Sequence, residues 1–274
     1  MLYRREIATC AILALTLLSP ALASDGRIEI NQAKALAGGV TPGDTAGFPV
    51  TISLPGSYIL TSDLDVTVAP DPPNTTAILV TSSQKGITID LNGFAIRGPA
   101  VCPLVNPCTG TGLGVGVNAL FTGTLVRNGS VVGMGAGGIE AERIESVQAL
   151  SNGGVGITGL LIEGSRSELN GSHGFSSSGT VSGCSAIDNH GYGYALQFAN
   201  GFHLSSLFNV LGGVVMSSSR VSDSVIDLLL TCNGGCFVSE SIFVNCSGAS
   251  CIDGTAPIYQ PTSSPNLCGN VPCP

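Results

Sequence analysis

The side chains best equipped for chemistry are Arg166, Glu168 and His173, followed by Asp188, His190 and Tyr192. Removing a proton beside a carboxylate needs a base, and the charge that develops needs a cation. An imidazole, a phenol and a guanidinium together would suit cleavage or epimerisation of a uronate polymer. Calcium is the metal these carboxylates would suit, with Asp223 and Asp227, or Glu163 and Glu168, as ligands. No other cofactor is required by these residues. The plain alternative is a set of polar turn residues facing solvent.

The catalytic set has meaning only if the chain folds with a period that stacks it, and a period is present. Counting from Ile144, offsets 3, 5, 8, 12 and 13 hold Val147, Ala149, Asn152, Gly156 and Ile157. From Ile162 the same offsets hold Ser165, Ser167, Asn170, Gly174 and Phe175, and from Val181 they hold Cys184, Ala186, Asn189, Gly193 and Tyr194. A fourth unit keeps Leu204, Ser206, Asn209, Gly213 and Val214 behind Gly201. Weaker copies flank these, and two inserted residues are expected to carry the next repeat glycine to Gly235. His173 and Tyr192 share offset 11, which makes them stacked neighbours.

Each unit carries several glycines, and Gly costs about 1 kcal/mol relative to Ala inside a helix, so a helical repeat is excluded. Two-residue alternation with small or β-branched inward positions suits one coil of a β-solenoid, with like offsets stacked at strand spacing. The aligned Asn side chains are then expected to bond from corner to corner. Ile87–Asp90 reads as a strand ending in the Asn92-Gly93 turn, and Val50–Leu54 with Tyr58 and Leu60 as strands about a turn. Asn31 caps a short helix over Gln32 to Leu36, a cover for the exposed solenoid end. Leu150, Ile187 and Leu207 at offset 6 form an outward apolar stripe, to be covered by the tail from Ala256 or by a partner or second copy. Cys184 falls at a buried inward offset.

Ile87 to Phe94, Val126 to Val131 and the Asn-x₃-Gly-apolar repeats resemble the bacterial right-handed parallel β-helix repeat proteins of the pectate-lyase-like superfamily. The resemblance covers roughly residues 50 to 255. It implies an all-β, right-handed parallel β-helix, a single-stranded β-solenoid of three sheets with an N-terminal cap and a groove along one side. In many relatives it implies lyase, hydrolase or epimerase action on acidic polysaccharides. The catalytic strings of those relatives, paired aspartates with Gly-His-Gly and Arg-x-Lys or an Asp-Pro-His, are absent, so the resemblance carries over the fold alone.

Ten Lys and Arg against 18 Asp and Glu give a net charge of −8, which excludes a nucleic-acid surface built on clustered cations. Residues 1–23 read as a signal peptide, with Arg4 and Arg5, the apolar run Ile7 to Leu18 and the Ala21-Leu22-Ala23 site. Secretion, or a periplasmic or cell-surface location, follows, with no membrane span in the mature form. Residues 24–70 then form the cap and first strands, 71–256 the β-helix, and 257–274 a disulfide-pinned tail. Eight cysteines fall into couples: Cys102 with Cys108, Cys232 with Cys236, Cys246 with Cys251, and Cys268 with Cys273. Pairing within each couple is the simplest framework, with exchange between the second and third couples, or a zinc site, as alternatives. The leading expectation is a secreted scaffold that presents an elongated surface to extracellular glycans or a protein partner. A polysaccharide lyase or epimerase using His173, Tyr192, Arg166, Asp188 and His190 is the alternative.

Overall fold

The computed structural model describes residues 26–82, 85–120 and 122–227, then 230–232, 236–239, 241–244, 252–254, 258–259, 267–268 and 271–272, with backbone alone at 230 and from 243 onward. Residues 1–23, expected to be a signal peptide, and the Cys246 with Cys251 and Cys268 with Cys273 couples lie outside the described residues or side chains. The chain winds as a parallel β-solenoid, and its strands fall into three ladders. One runs through Val50–Ile52, Ile78–Val80, Val117–Ala119 and the start of Ile139–Leu150, and continues through Ile157–Glu163, Phe175–Ser182, Tyr192–Gln197 and Gly212–Ser217. The second includes Arg27–Ile30, Gly56–Leu60 and Ile87–Asp90, and the third starts at Leu64–Asp65 and Ala95–Arg97.

The sequence offsets become spatial columns. Ile144, Ile162, Val181 and Gly201 are strand partners in the second ladder; Ala149, Ser167, Ala186 and Ser206 are partners in the third; Ile157, Phe175, Tyr194 and Val214 are partners in the first. Ile144, Ile162 and Val181 are fully buried, each worth roughly 1.5–3 kcal/mol of transfer free energy. At Gly201 the apolar column is broken, and Leu204 fills the space: its Cδ1 would lie 2.6 Å from a Cβ placed there. Phe175 and Tyr194 stack inside the coil at 5.0 Å, with the Tyr194 hydroxyl bonded to the Cys184 carbonyl at 2.6 Å. That bond satisfies a phenol otherwise costly to bury.

Between the third and first ladders the asparagines form a continuous buried row. Asn170 Oδ1 accepts from Asn152 N at 3.0 Å and Asn152 Nδ2 at 2.9 Å, and Asn189 Oδ1 and Asn209 Oδ1 repeat the pattern one and two coils on. Each Nδ2 also donates to a backbone carbonyl of the preceding coil: Asn170 to Ala149, Asn189 to Ser167 and Asn209 to Ala186. The row therefore supplies partners for corner backbone groups that no strand can pair. The glycines at offset 12 follow from the same geometry. A Cβ on Gly156 would lie 2.6 Å from Asn170 Nδ2 and 2.0 Å from Ser167 Oγ, and one on Gly174 would lie 2.8 Å from Asn189 Nδ2.

The row stops where the repeat fails. Gly235, expected to carry the next repeat position, lies outside the described residues; Val214 pairs with Leu230, so this turn spans 230 − 214 = 16 residues. No Asn stands at the corner. Asp227 does, fully turned inward at 1% exposure, and its Oδ2 accepts from Phe208 N at 2.7 Å. Ile226 pairs with Ser206 and Leu230 with Val214, so four residues here match the eight that hold Asn209 in the coil before.

The N-terminal end is closed by side chains. The helix covers Gln32–Ala37, with the Asn31 side chain accepting from Lys34 N and Ala35 buried. Gln32 bonds both backbone groups of Asp65, at 2.8 Å to its N–H and 3.2 Å to its carbonyl, and so stands in for a missing strand at the edge of the third ladder. Asp44 and Thr41 do the same for Thr51 at the edge of the first. Unpaired edges invite pairing with other chains, and here they are capped. Asp90 ties the second ladder together, with Arg27 at 2.9 Å and Arg127 at 3.1 Å. Burial raises its pKa, but the Asn92 amide, Asn128 and Arg127 outweigh this and hold the carboxyl below its ordinary range.

Candidate functional site

The predicted catalytic residues occupy three environments. His173 and Tyr192 do stack, with ring centroids 5.7 Å apart and planes tilted by 37°. They sit on adjacent coils at the corner that leads into the first ladder. His173 Nδ1 accepts from the Tyr192 backbone N–H at 3.0 Å, which places the ring proton of the neutral imidazole on Nε2. In this arrangement the imidazole offers a substrate a donor, and its one lone pair is already engaged. Arg166 lies in the third ladder, paired with Glu168 through Nε at 2.9 Å and through its terminal nitrogen at 2.6 Å. Asp188, in the left-handed conformation at φ 54°, has its pKa raised by burial and then by the Glu168 charge. His190 is held elsewhere, with Nε2 2.9 Å from the Pro103 carbonyl.

Burial pushes the His173 pKa below its ordinary value. A depressed folded-state pKa means that the unfolded chain binds the proton more tightly, so stability is full above the ordinary histidine range and falls with pH as the folded value is approached. Protonation would also set an N–H against the Tyr192 N–H. Nitrogen-15 NMR of the His173 ring is expected to show the Nε2–H tautomer at neutral pH and a titration midpoint below that of a free histidine. A midpoint above it would contradict the hydrogen bond.

The Pro99 to Gly116 excursion is pinned, as its cysteines suggested. Cys102 and Cys108 form a disulfide, Val101 and Thr109 bridge across it, and Cys102 Sγ lies 3.3 Å from the Asn152 carbonyl. A cavity of 500 Å³ lies beneath the loop, against His190, Gly153 and Gly171. Cys232 and Cys236 form a second disulfide. Cys184 is buried, with its thiol pushed up to about 11 by burial, which makes it inert as a nucleophile at neutral pH. Among the described residues no group of three or more His, Cys, Asp or Glu is placed to hold a metal ion. Of the calcium candidates, Glu168 is engaged by Arg166 and Asp227 is turned inward. Leu150, Ile187 and Leu207 share one outward column, interrupted by Glu168. The tail expected to cover them lies largely outside the described residues.

A groove that the sequence did not single out lies on the outer side of the first ladder, where it turns toward the second. Its volume is 340 Å³, and it crosses successive coils. Thr158, Ser176, Ser178, Gln197 and Ser217 supply its polar groups, and Leu120, Leu160, Ala195 and Val215 its apolar surface. Thr158 and Ser176 are strand partners, and their column continues as Ala195 and Val215, while Gln197 and Ser217 pair two residues further on, so the polar side of the groove shifts toward the corner in the later coils. Its sequence signal is the drift of the period. Gly159 pairs with Ser177 but Leu161 with Thr180, and Ser177 pairs with Leu196 but Thr180 with Asn200. One residue is inserted in each of two successive coils at this corner, and they widen it into the groove wall.

No helix among the described residues is long and apolar enough to cross a membrane. Comparison with protein-family models, curated proteins and solved structures finds no match to this chain.

Proposed function

We propose that the protein is a secreted β-helix, akin to the pectate-lyase-like superfamily, that binds an extended glycan along the first-ladder groove. The groove itself carries this reading. Sugars are recognised by hydroxyls and amides for their edges and by apolar surface for their C–H faces, and this groove offers both across four successive coils. The two disulfides fit an oxidising compartment outside the cytosol. The lyase or epimerase alternative has one supporting observation, the stacked His173 and Tyr192 pair, but Arg166 is engaged by Glu168 and the His173 lone pair by Tyr192 N.

Binding by the purified protein on a glycan array, repeated with Ser178→Trp, tests the proposal. Ser178 is exposed at the groove, so the indole fills it without disturbing the core. Binding is expected to weaken by roughly tenfold or more, about 1.4 kcal/mol, whereas Ser130→Trp on the third ladder leaves it unchanged. Equal binding by the wild type and Ser178→Trp would overturn the groove assignment. Release of unsaturated product from uronate polymers, abolished by His173→Ala, would favour the alternative.

A further inference from the structure

The groove is built without charge, and this bears on which glycan it takes. We infer that it selects a neutral polysaccharide chain lying along the solenoid axis, and that it discriminates against uronate polymers; this rests on the groove reading above. None of its lining side chains is ionisable: the polar ones are hydroxyls and the Gln197 amide. A carboxylate drawn from water into such a groove finds no cation to replace its hydration, a cost that a neutral hydroxyl does not meet.

Three arginines of the neighbouring ladders are engaged by other side chains. Arg143 is held by Glu145 at 3.1 Å and Arg166 by Glu168 at 2.6 Å, while the Arg220 guanidinium lies 4.7 Å from the centre of the Phe237 ring. The coil before Thr158 carries an acid at the partner position. Glu140 is the strand partner of Thr158, half-buried, with no hydrogen bond or ion pair among the described residues. Its charge repels a uronate entering from that end, and the chain as a whole carries −8. The direction of the ligand follows from the columns. Each coil of the groove supplies at least one polar side chain, Thr158, Ser176 with Ser178, Gln197 and Ser217 in turn, at the strand spacing of roughly 4.8 Å, so a chain laid along the axis meets a hydrogen-bonding group at each coil.

Isothermal titration of the mature protein with neutral oligosaccharides (gluco-, xylo- and manno-configured) and with oligogalacturonate and oligo-alginate tests this. The neutral series is expected to contain a ligand bound at least roughly tenfold more tightly than either uronate, with an affinity insensitive to salt. Thr158→Lys is expected to raise uronate affinity and make it salt-dependent. Uronate bound more tightly than every neutral sugar, and lost in Ser178→Trp, would overturn the neutral assignment while leaving the groove reading intact. Binding of neither class would overturn both. Uronate binding that survives Ser178→Trp would place the acidic ligand elsewhere and remove the groove from the account.

Discussion

Replacing Asn170 with Ala is expected to lower the unfolding free energy by about 4 kcal/mol, because buried donors left without partners cost about 1–3 kcal/mol each. Two donors lose their acceptor: Asn152 N and Asn152 Nδ2, both bonded to Asn170 Oδ1. Three acceptors also lose a donor: the Ala149 carbonyl, Ser167 Oγ and Asn189 Oδ1. The site is fully buried, so water does not replace them cheaply. Asn170→Asp keeps the shape but sets a carboxylate oxygen against Asn189 Oδ1 and the Ala149 carbonyl, and is expected to cost at least as much. Asn152 stands at the first coil of the row, where its Oδ1 serves one donor, Met134 N. Asn152→Ala is therefore expected to cost about half as much. The exposed Asn106→Ala should stay within about 0.5 kcal/mol. Urea unfolding monitored by circular dichroism measures the series. Equal effects at Asn170 and Asn106 would deny the row any energetic role.

Gly156→Ala is the second large effect, about 3 kcal/mol or more, as overpacking and lost hydrogen bonds combine. The added methyl would lie 2.0 Å from Ser167 Oγ, 2.6 Å from Asn170 Nδ2 and 2.9 Å from the Gly174 carbonyl. None of these atoms ends a flexible chain, and all belong to the bonded corner. Relief must displace Ser167 Oγ and Asn170 Nδ2, which are hydrogen-bonded to each other at 2.9 Å, so Gly156→Ala and Asn170→Ala act on shared interactions. Their combined cost is expected to fall well short of the sum, which a double-mutant cycle reads directly. Gly137→Ala is the control: its nearest neighbour would be Glu140 Oε1 at 3.3 Å, on a side chain free to turn. Additive costs at 156 and 170 would mean that the methyl and the amide do not share the corner.

The repeat was legible because every position in it answers to one geometric demand. Asn at offset 8 and Gly at offset 12 are two sides of one contact, Asn170 Nδ2 against the bare Cα of Gly156. The stacking of His173 on Tyr192 followed from their shared offset. The fate of the polar residues was less legible, since it depends on neighbours that no offset specifies. Pro103, 87 residues before His190, takes that imidazole through a loop outside the repeat. Glu168 is two residues from Arg166 on the same strand face, so the pair forms within one coil. The groove was hidden for another reason: insertions of one residue change the total period without revealing which corner absorbs them. The short turn after Gly213 was hidden as well: Leu230 follows Ile226 by four residues where Val214 follows Ser206 by eight, and no offset marks the loss.

All of this depends on the asparagine row, and an electron-density map of the protein tests it most directly. The account predicts the side-chain amides of Asn152, Asn170, Asn189 and Asn209 in one buried line, each carbonyl oxygen accepting from the backbone and side-chain nitrogens of the asparagine one coil before. Asparagines scattered over the surface, or separated by more than a coil spacing, would contradict it.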